Sequence, residues 1–313
     1  MARRISPICL RRCLANKPDL PELPDITVYI EALEKRIIGR KLEHIRIANP
    51  FLVRSVDPPI SDTEGHTVVA IRRLGKRIAI GFENELWIVI HLMIAGRFRW
   101  VASGAKIPGK LGLAAFDFES GTLILTEAGS TRRASLYVVK GEASLESTDR
   151  GGLEPLECSL ADFAERLTSE NHTLKRSLTD PTLFSGIGNA YSDEILHRAK
   201  LSPLRLTSKL TPDEISRLYS ATRETLVDWI GKLRDEAGDD FPKNVTAFRE
   251  EMAVHGRYGK PCPVCGTPVQ RIRYASNETN YCPRCQTDGK LLADRAMSRL
   301  LKQDWPKSID ELY

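Results

Sequence analysis

The sequence lacks any run of about 18 apolar residues, the length that a membrane-spanning helix requires. Its longest apolar stretch, at residues 86–95, is interrupted by His91. Internal repeats and long low-complexity tracts are also missing. Hydrophobic residues form 42% and charged residues 28% of the 313 residues, as in a soluble globular protein. These features exclude a helical membrane protein, and the length accommodates two ordinary domains plus a small module.

Acidic residues are missing from residues 252–277, which carry basic residues at positions 257, 260, 271 and 273. The whole chain has a net charge of only +5, so this segment of 26 residues, with four basic residues and no acidic one, is much more basic than the chain on average. A concentrated basic segment favours a polyanionic partner such as nucleic acid. A second basic cluster lies at positions 72, 73, 76 and 77. A solvated strand or helix face explains any single cluster equally well, so charge alone does not identify the partner.

The cysteine pattern does not suit a disulfide framework, because the count of seven is odd. Three cysteines are scattered, at positions 9, 13 and 158, and four form two C-x-x-C pairs separated by sixteen residues. Two such knuckles joined by a hairpin give a closed tetrahedral zinc site. A closed site has no open coordination position, so we predict one structural Zn²⁺ in a reducing compartment. The predicted ligands are Cys262, Cys265, Cys282 and Cys285.

The spacing of apolar residues divides the chain into a β-rich part and a helical part. A helix is predicted from Pro24 to about Ile38, because apolar residues recur at helical spacing and a glycine follows. Short β-rich runs between residues 42 and 139 predict a β-sandwich or barrel. After about Gly151 the pattern becomes helical, and the sequence TPDE from Thr211 is a strong helix start.

A glycine-rich turn, Gly186-Ile-Gly-Asn189, precedes another predicted helix. Backbone N–H groups at such a turn, together with the helix dipole, can bind a phosphate. Two glycines before a helix are more often a plain turn. Both interpretations stay open for this motif alone.

Five motifs occur in a fixed order along the chain, and the combination identifies a protein family more specifically than any single motif does. They are PELPD from Pro21, a strand-rich block with Gly75-Lys76, the pair K-x-x-L-x-D and G-x-G-N-x-Y-x-D-E from Lys175 and Gly186, H-G-R from His255, and the four cysteines. In this order and spacing the chain resembles the formamidopyrimidine-DNA glycosylase/endonuclease VIII (Fpg/Nei) family. The resemblance implies an α+β multidomain fold: an N-terminal β-sandwich with a flanking helix, a helix-two-turn-helix domain and a C-terminal zinc-finger hairpin with four cysteine ligands.

The resemblance also implies a domain order. We expect a catalytic β-sandwich domain at residues 21–150, a helix-two-turn-helix domain at 151–250 and a zinc finger at 251–286. Residues 1–20 and the tail 287–313 lie outside the family pattern. The implied activity is base-excision repair of damaged double-stranded DNA. Such an enzyme removes an oxidised or formamidopyrimidine base as a glycosylase and nicks the strand as an AP lyase. The family further implies a monomer in the bacterial cytoplasm, associated with the nucleoid.

The catalytic residues implied by the resemblance are Pro21, Glu22 and Lys76. A proline at a chain terminus is a secondary amine, and terminal amines have pKa values near 8, so a neutral fraction exists at pH 7. The amine can attack the sugar C1′ and become a cationic iminium, which acidifies the C2′ hydrogens. Glu22 matches the general acid/base of the family. Lys76 matches the lysine associated with β-elimination.

Phosphate and base contacts are implied for four further residues. Lys175 and Asn189 match the residues that hold phosphates flanking the lesion. Ile94 takes the place of the family's intercalating methionine. Arg132 matches the arginine that reads the orphaned base, but Ala134 replaces the aromatic plug beside it. The preferred lesion and the opposite base therefore stay open.

The zinc-finger end contributes two more predicted DNA contacts, Arg257 of the H-G-R motif and Asn277. Asn277 stands where the family has an arginine that is assigned to δ-elimination. Asparagine lacks the charge and the planar fork of arginine, so we predict slower δ-elimination. Arg271 or Arg273 of the same hairpin could compensate.

The position of Pro21 inside the chain conflicts with its implied role, because an acylated nitrogen cannot be a nucleophile. We favour a start at Leu20, where the family's initiator methionine would stand, with its removal exposing Pro21. Proteolytic removal of residues 1–20 is an alternative. A third is that the protein is not a lyase, but a monofunctional glycosylase or a zinc-containing damaged-DNA-binding protein. Retention of Glu22 and Lys76 argues against pure binding.

Overall fold

The computed structural model describes residues 21–128, 131–243, 245, 249–274, 278–292 and 306–311. The first helix, α1, spans Leu23–Ile37, within one residue of its predicted bounds. Pro24 lies in its first turn, where a missing N–H costs nothing. Apolar side chains at helical spacing, including Tyr29 and Leu33, form its buried face.

Strands β1 to β8 follow and form two four-stranded antiparallel sheets. One sheet has the order β1-β6-β7-β5 and the other has the order β2-β3-β4-β8. The two sheets confirm the β-sandwich and exclude the barrel that the strand pattern also allowed. The strands are β1 Leu42–Ile47, β2 Val68–Leu74, β3 Arg77–Phe82, β4 Leu86–His91, β5 Gly96–Val101, β6 Gly112–Phe118, β7 Gly121–Glu127 and β8 Ser135–Lys140.

The sandwich core explains why β3 and β4 are apolar along most of their length. Ile80 pairs with Ile88, and both face the other sheet together with α1. The opposite face of the same strands carries Ala79 and Val89, which pack against Leu145 of a short helix. Because both faces are covered, alternation between apolar and polar residues is not required.

The helical part follows the sandwich and contains α2 Glu142–Glu146, α3 Leu160–Thr168, α4 Leu174–Thr179, α5 Asn189–Arg198 and α6 Pro212–Ala237. The predicted start of α6 is confirmed by a reciprocal cap. The Thr211 hydroxyl accepts the Glu214 N–H at 3.2 Å, and the Glu214 carboxylate accepts the Thr211 N–H at 2.9 Å. A second core lies here, with Phe163, Phe184 and Tyr191 fully buried.

The C-terminal module is a two-stranded hairpin, β9 Gln270–Arg273 and β10 Glu278–Tyr281, followed by α7 Pro283–Thr287. Its own core is small, formed mainly by Val254, Val269 and two cysteines. A part of the tail returns to this module, where Asp310 pairs with Arg284 at 2.5 Å. Among the described residues, every helix is too short or too polar to span a lipid bilayer.

Candidate active site

The start of α1 lies at the junction between the two cores. Leu23 belongs to the helical core, whereas Ile26, one turn later, belongs to the sandwich core. The Leu23 N–H donates to the Gly186 carbonyl at 2.9 Å. Pro21 and Glu22 are buried at this junction. The residues that were predicted to be catalytic therefore lie where two modules meet, as ligand sites often do.

The Glu22 carboxylate is held by the first turn of α5. Its side chain is 1% exposed and accepts the N–H groups of Gly188 at 2.6 Å, Ala190 at 2.8 Å and Tyr191 at 3.3 Å. These donors and the positive end of the helix dipole stabilise a carboxylate anion. The glycine-rich turn, for which phosphate binding was one interpretation, thus binds a carboxylate of the protein itself.

Lys76 lies beside this carboxylate, in the tight turn between β2 and β3. Gly75 has a φ of +60°, which explains the glycine at that position of the turn. A Cβ on Gly188 would stand 2.5 Å from the carboxylate carbon of Glu22 and 2.6 Å from the Lys76 Nζ. The missing side chain at Gly188 therefore allows the carboxylate and the ammonium group to lie together, 54 residues apart in sequence.

Asp25 is a further residue of the site that sequence reasoning treated only as part of a helix start. One carboxylate oxygen accepts the Glu22 N–H at 3.0 Å, and the other is buried with no hydrogen-bond partner among the described residues. Burial raises the pKa of Asp25 to about 7. The residue lines a cavity of about 100 Å³ whose other walls include Phe241 and Arg249. No feature of the sequence distinguished Asp25 from an ordinary first-turn carboxylate.

The basic cluster at positions 72–77 is mostly engaged within the protein. Arg73 donates to the Ser185 hydroxyl at 3.2 Å and pairs with Glu154, so it joins the sandwich to the helical module. Arg72 pairs with Glu142. Arg77 donates to a backbone carbonyl, and burial lowers its pKa. These contacts favour a structural role for the three arginines over phosphate binding.

Lys175 lies in a buried network centred on Asp193 of α5. Its Nζ donates to the Asn189 carbonyl at 2.6 Å and to the Asp193 carboxylate at 2.5 Å, and the residue is only 9% exposed. The other Asp193 oxygen contacts the His255 Nδ1 at 2.8 Å and accepts the Asn280 N–H at 3.1 Å. Burial by itself would raise the pKa of Asp193, but the Lys175 ammonium and the His255 ring bring it below its usual value.

The remaining predicted DNA contacts lie on different parts of the surface. Ile94 is 38% exposed in the turn after β4. Arg132 is exposed and donates to the Lys110 carbonyl. Arg257 donates to the carbonyls of Glu250 and Pro261 at 2.8 and 3.2 Å. Asn189 is half-buried at the start of α5.

Asn277, the last predicted contact, lies outside the described residues. In sequence it stands between the end of β9 and the start of β10. Its DNA contact stays a prediction.

The four predicted zinc ligands converge at the base of the hairpin. Their sulfur atoms lie within 4.8 Å of one another, with Cys265 and Cys282 at 3.4 Å and Cys262 and Cys285 at 4.0 Å. A tetrahedron of sulfurs at about 2.3 Å from zinc requires separations of this size. Four thiolates suit Zn²⁺, and the small core of this module explains why it needs a metal.

Comparison with known proteins assigns the chain to a family. Three family models match it: the formamidopyrimidine-DNA glycosylase N-terminal domain at residues 20–131, the formamidopyrimidine-DNA glycosylase H2TH domain at 152–234, and the zinc finger found in FPG and IleRS at 259–287. A formamidopyrimidine-DNA glycosylase of Desulfitobacterium hafniense is 32% identical in an alignment of 281 residues that covers 85% of this chain and 100% of that protein. The chain belongs to the formamidopyrimidine-DNA glycosylase family.

Other members of the formamidopyrimidine-DNA glycosylase family agree with this assignment. The protein of that name from Listeria innocua is 28% identical in an alignment of 277 residues that covers 85% of this chain and 100% of the relative. The Lactococcus lactis Fpg in complex with DNA containing an abasic site superposes with a TM-score of 0.75 at 27% identity, over 85% of this chain and 99% of that one. The family, the α+β fold and the structural zinc predicted from the sequence are thereby confirmed.

Proposed function

We propose that this member of the family is a base-excision repair DNA glycosylase with AP-lyase activity, and that Pro21 supplies the amine. The observation that carries the proposal is the approach of the Lys76 ammonium group to the Glu22 carboxylate, which directly follows Pro21 in the chain, at the junction of two modules. An amine nucleophile, a fixed carboxylate and an ammonium group are the three groups that imine chemistry at a sugar requires.

Each group has a defined part in the proposed reaction. The neutral Pro21 nitrogen attacks C1′ of the extruded nucleotide, the glycosidic bond breaks, and the base leaves with the bonding electron pair. The Glu22 carboxylate takes the proton that the attacking nitrogen loses and gives it to the ring oxygen as the C1′–O4′ bond breaks, and the nitrogen lone pair then forms the C1′=N iminium. The departing base takes up a solvent proton through Glu22. The resulting iminium draws electrons from C2′, loss of a C2′ proton forms the double bond, and the 3′ phosphate leaves. Lys76 assists this β-elimination and pairs with the phosphate charge.

The proposal requires a functional chain that begins at Pro21. The match to the N-terminal family model begins at residue 20, which supports this boundary. A chain that keeps residues 1–20 has an amide nitrogen at Pro21, and this favours the second candidate function, a DNA-clamping protein or monofunctional glycosylase without lyase activity.

The substrate that we propose is duplex DNA with an oxidised or formamidopyrimidine base. The Lactococcus lactis Fpg that this chain resembles was solved with DNA containing an abasic site, which supports DNA as the partner. Ile94 and Arg132 would enter the duplex, and Asn189, Lys175, Arg257 and Asn277 would contact its backbone. Lys175 would have to leave Asp193 or act through it. The named relatives are bacterial, which supports a bacterial source. A monomer in the cytoplasm is part of the proposal.

Borohydride trapping tests this proposal. Protein that begins at Pro21 is mixed with an abasic-site duplex and sodium borohydride, which reduces an iminium to a stable amine. We expect a covalent protein–DNA adduct. The matched control carries one N-acetylated glycine before Pro21 and should give none, because its Pro21 nitrogen is acylated and the glycine amine is blocked.

The other outcomes separate the candidate functions. Base release from a lesion duplex without trapping supports a monofunctional glycosylase. Binding with neither trapping nor base release supports a non-catalytic damaged-DNA-binding protein. Equal trapping by the control with the N-acetylated glycine would contradict the assignment of Pro21 as the nucleophile.

A further inference from the structure

Helix α5 contacts the zinc module with a side chain that the proposed reaction does not use. His197 lies near the C-terminal end of α5, and its Nε2 is 3.3 Å from the sulfur of Cys262. The histidine is 6% exposed and the cysteine 2% exposed. This contact therefore joins the helical module to a predicted zinc ligand away from bulk solvent.

The chemistry of the sulfur sets the direction of this contact. A cysteine bound to zinc is a thiolate, which can accept a hydrogen bond but has no proton to donate. The Nε2 of His197 must then carry the hydrogen. Donation to a ligand sulfur withdraws charge from it and fixes its orientation, as other groups around protein metal sites do.

We propose that His197 is a positioning residue of the zinc site, whose Nε2–H donates to the Cys262 thiolate, so that α5 completes the surroundings of the metal. His197 does not bind the metal itself. It holds one ligand at the distance and orientation that the tetrahedral site requires.

The geometry around this contact supports a defined role over incidental packing. Glu194, on the adjacent turn of α5, accepts the backbone N–H groups of Ala253, Val254 and His255 at 2.7–2.9 Å. Asp193 contacts the His255 ring at 2.8 Å. These bonds fix the chain that leads into Cys262 against the same helix, so the ring and the sulfur meet in a set position.

The proposal also links the metal to the candidate active site through one element. The N–H groups at the start of α5 hold the Glu22 carboxylate, and the other end of this ten-residue helix holds Cys262. A helix of this length is about 15 Å long and stiff. Its position is thus set from both ends.

Three variants of the full chain test the role of His197. His197→Phe keeps a large ring without a donor, His197→Gln keeps an N–H group, and Arg198→Gln changes the exposed neighbour as a matched control. Zinc release to a chromogenic chelator should be at least about tenfold faster in His197→Phe. In His197→Gln and in the control the rate should stay within roughly threefold of the parent.

Cobalt substitution gives a readout that packing alone would not move. In Co²⁺-loaded protein, loss of an N–H···S bond raises the energy of the sulfur electrons and shifts the sulfur-to-cobalt charge-transfer band to longer wavelength. We expect this shift in His197→Phe and its reversal in His197→Gln. An unshifted band in His197→Phe overturns the proposal, whatever the release rate, and so does a failure of His197→Gln to restore it.

The parent protein provides a test that does not depend on any variant folding. In zinc-loaded protein, the ¹⁵N shifts of the His197 imidazole report which nitrogen carries the hydrogen. A protonated Nε2, with a scalar coupling to ¹¹³Cd when cadmium replaces zinc, supports the proposal. A His197 ring with the hydrogen on Nδ1 alone overturns it, because such a ring cannot donate to Cys262.

Discussion

Replacing Gly188 by alanine adds one methyl group at the point where Glu22 and Lys76 meet. The backbone of Gly188 has φ −130° and ψ −153°, an extended conformation that alanine adopts without strain. The new Cβ would stand 2.5 Å from the Glu22 carboxylate and 2.6 Å from the Lys76 Nζ, whereas ordinary contacts begin at 3.4 Å. The change therefore displaces at least one of the two groups without altering any charge.

The structure sets the expected size of this effect. One or both side chains must move by about 1 Å, and a displacement of this size at reacting groups costs about 100-fold in rate. Movement of the carboxylate also stretches its 2.6 Å bond from the Gly188 N–H. Overpacking of this kind destabilises a protein by about 1–3 kcal/mol. We expect Gly188→Ala to stay folded and to release the damaged base about 100-fold more slowly.

Single-turnover base release from a lesion duplex and thermal melting are the two measurements. Gly231→Ala is the matched control, because Gly231 lies inside α6 with open space around its Cα. It should keep full activity and gain up to about 1 kcal/mol of stability from better helix propensity. A Gly188→Ala enzyme that works within about threefold of the parent would refute the close approach of Glu22 and Lys76 as the basis of the site.

Three further predictions concern stability and the metal. The pKa of Asp25 is about 7 in the folded protein and 3.8 in the unfolded chain. Between about pH 4 and pH 7 the unfolded chain has therefore lost the Asp25 proton while the folded protein keeps it, so the free energy of unfolding falls as pH rises through this range. Asp25→Asn removes this pH-dependent loss. At pH 8 the variant should be more stable than the parent by up to about 4 kcal/mol, and the difference should vanish near pH 4. Urea unfolding at a series of pH values measures both. Asp193→Asn leaves the Lys175 ammonium buried without its counter-charge and should cost about 3–5 kcal/mol in the free energy of unfolding. Removal of zinc by a chelator should unfold the hairpin module and abolish binding of abasic-site DNA, and so should Cys265→Ser. Added zinc should restore binding to the chelator-treated parent but not to Cys265→Ser. Fluorescence anisotropy of labelled DNA measures the binding.

Each of these predictions has a control and a contradicting result. Asp25→Asn should be no more stable than the parent at pH 4, and a constant difference across pH would contradict the raised pKa of Asp25. The control for Asp193→Asn is Asp228→Asn, which breaks an exposed ion pair and should lower the free energy of unfolding by less than about 1 kcal/mol. If Asp193→Asn lowers it no more than this, the pair between Lys175 and Asp193 is also solvated. Full DNA binding by metal-free protein would contradict a folding role for zinc.

Much of the fold followed from local patterns. The apolar stripe of α1 and the Thr211 cap of α6 depend only on neighbouring residues, and both helices were predicted close to their observed starts. The spacing of the four cysteines was sufficient to predict the zinc site, because each C-x-x-C pair is a self-contained knuckle. The alternation of the strands left sandwich and barrel open, since sheet closure depends on pairings between distant strands.

The site could be predicted only in part, for the same physical reason. Motif order pointed to Pro21, Glu22 and Lys76, but Arg73 of the same basic cluster serves to join two modules. Lys175 was expected at a phosphate, which stays a prediction, and the structure adds a buried pair with Asp193 that the sequence did not reveal. A side chain's charge is visible in the sequence, whereas its burial and its partner are set by elements that meet in space.

The sequence by itself determined the family, the zinc ligands and the order of the elements, because these depend on residue type and on short spacing. Tertiary structure alone decided that Glu22 is bound by the N–H groups of α5, 166 to 169 residues away, that Asp25 lines a cavity, and that His197 meets Cys262. Hydrogen bonds act over about 3 Å and require alignment, so contacts between groups so distant in sequence exist only after the modules have packed together.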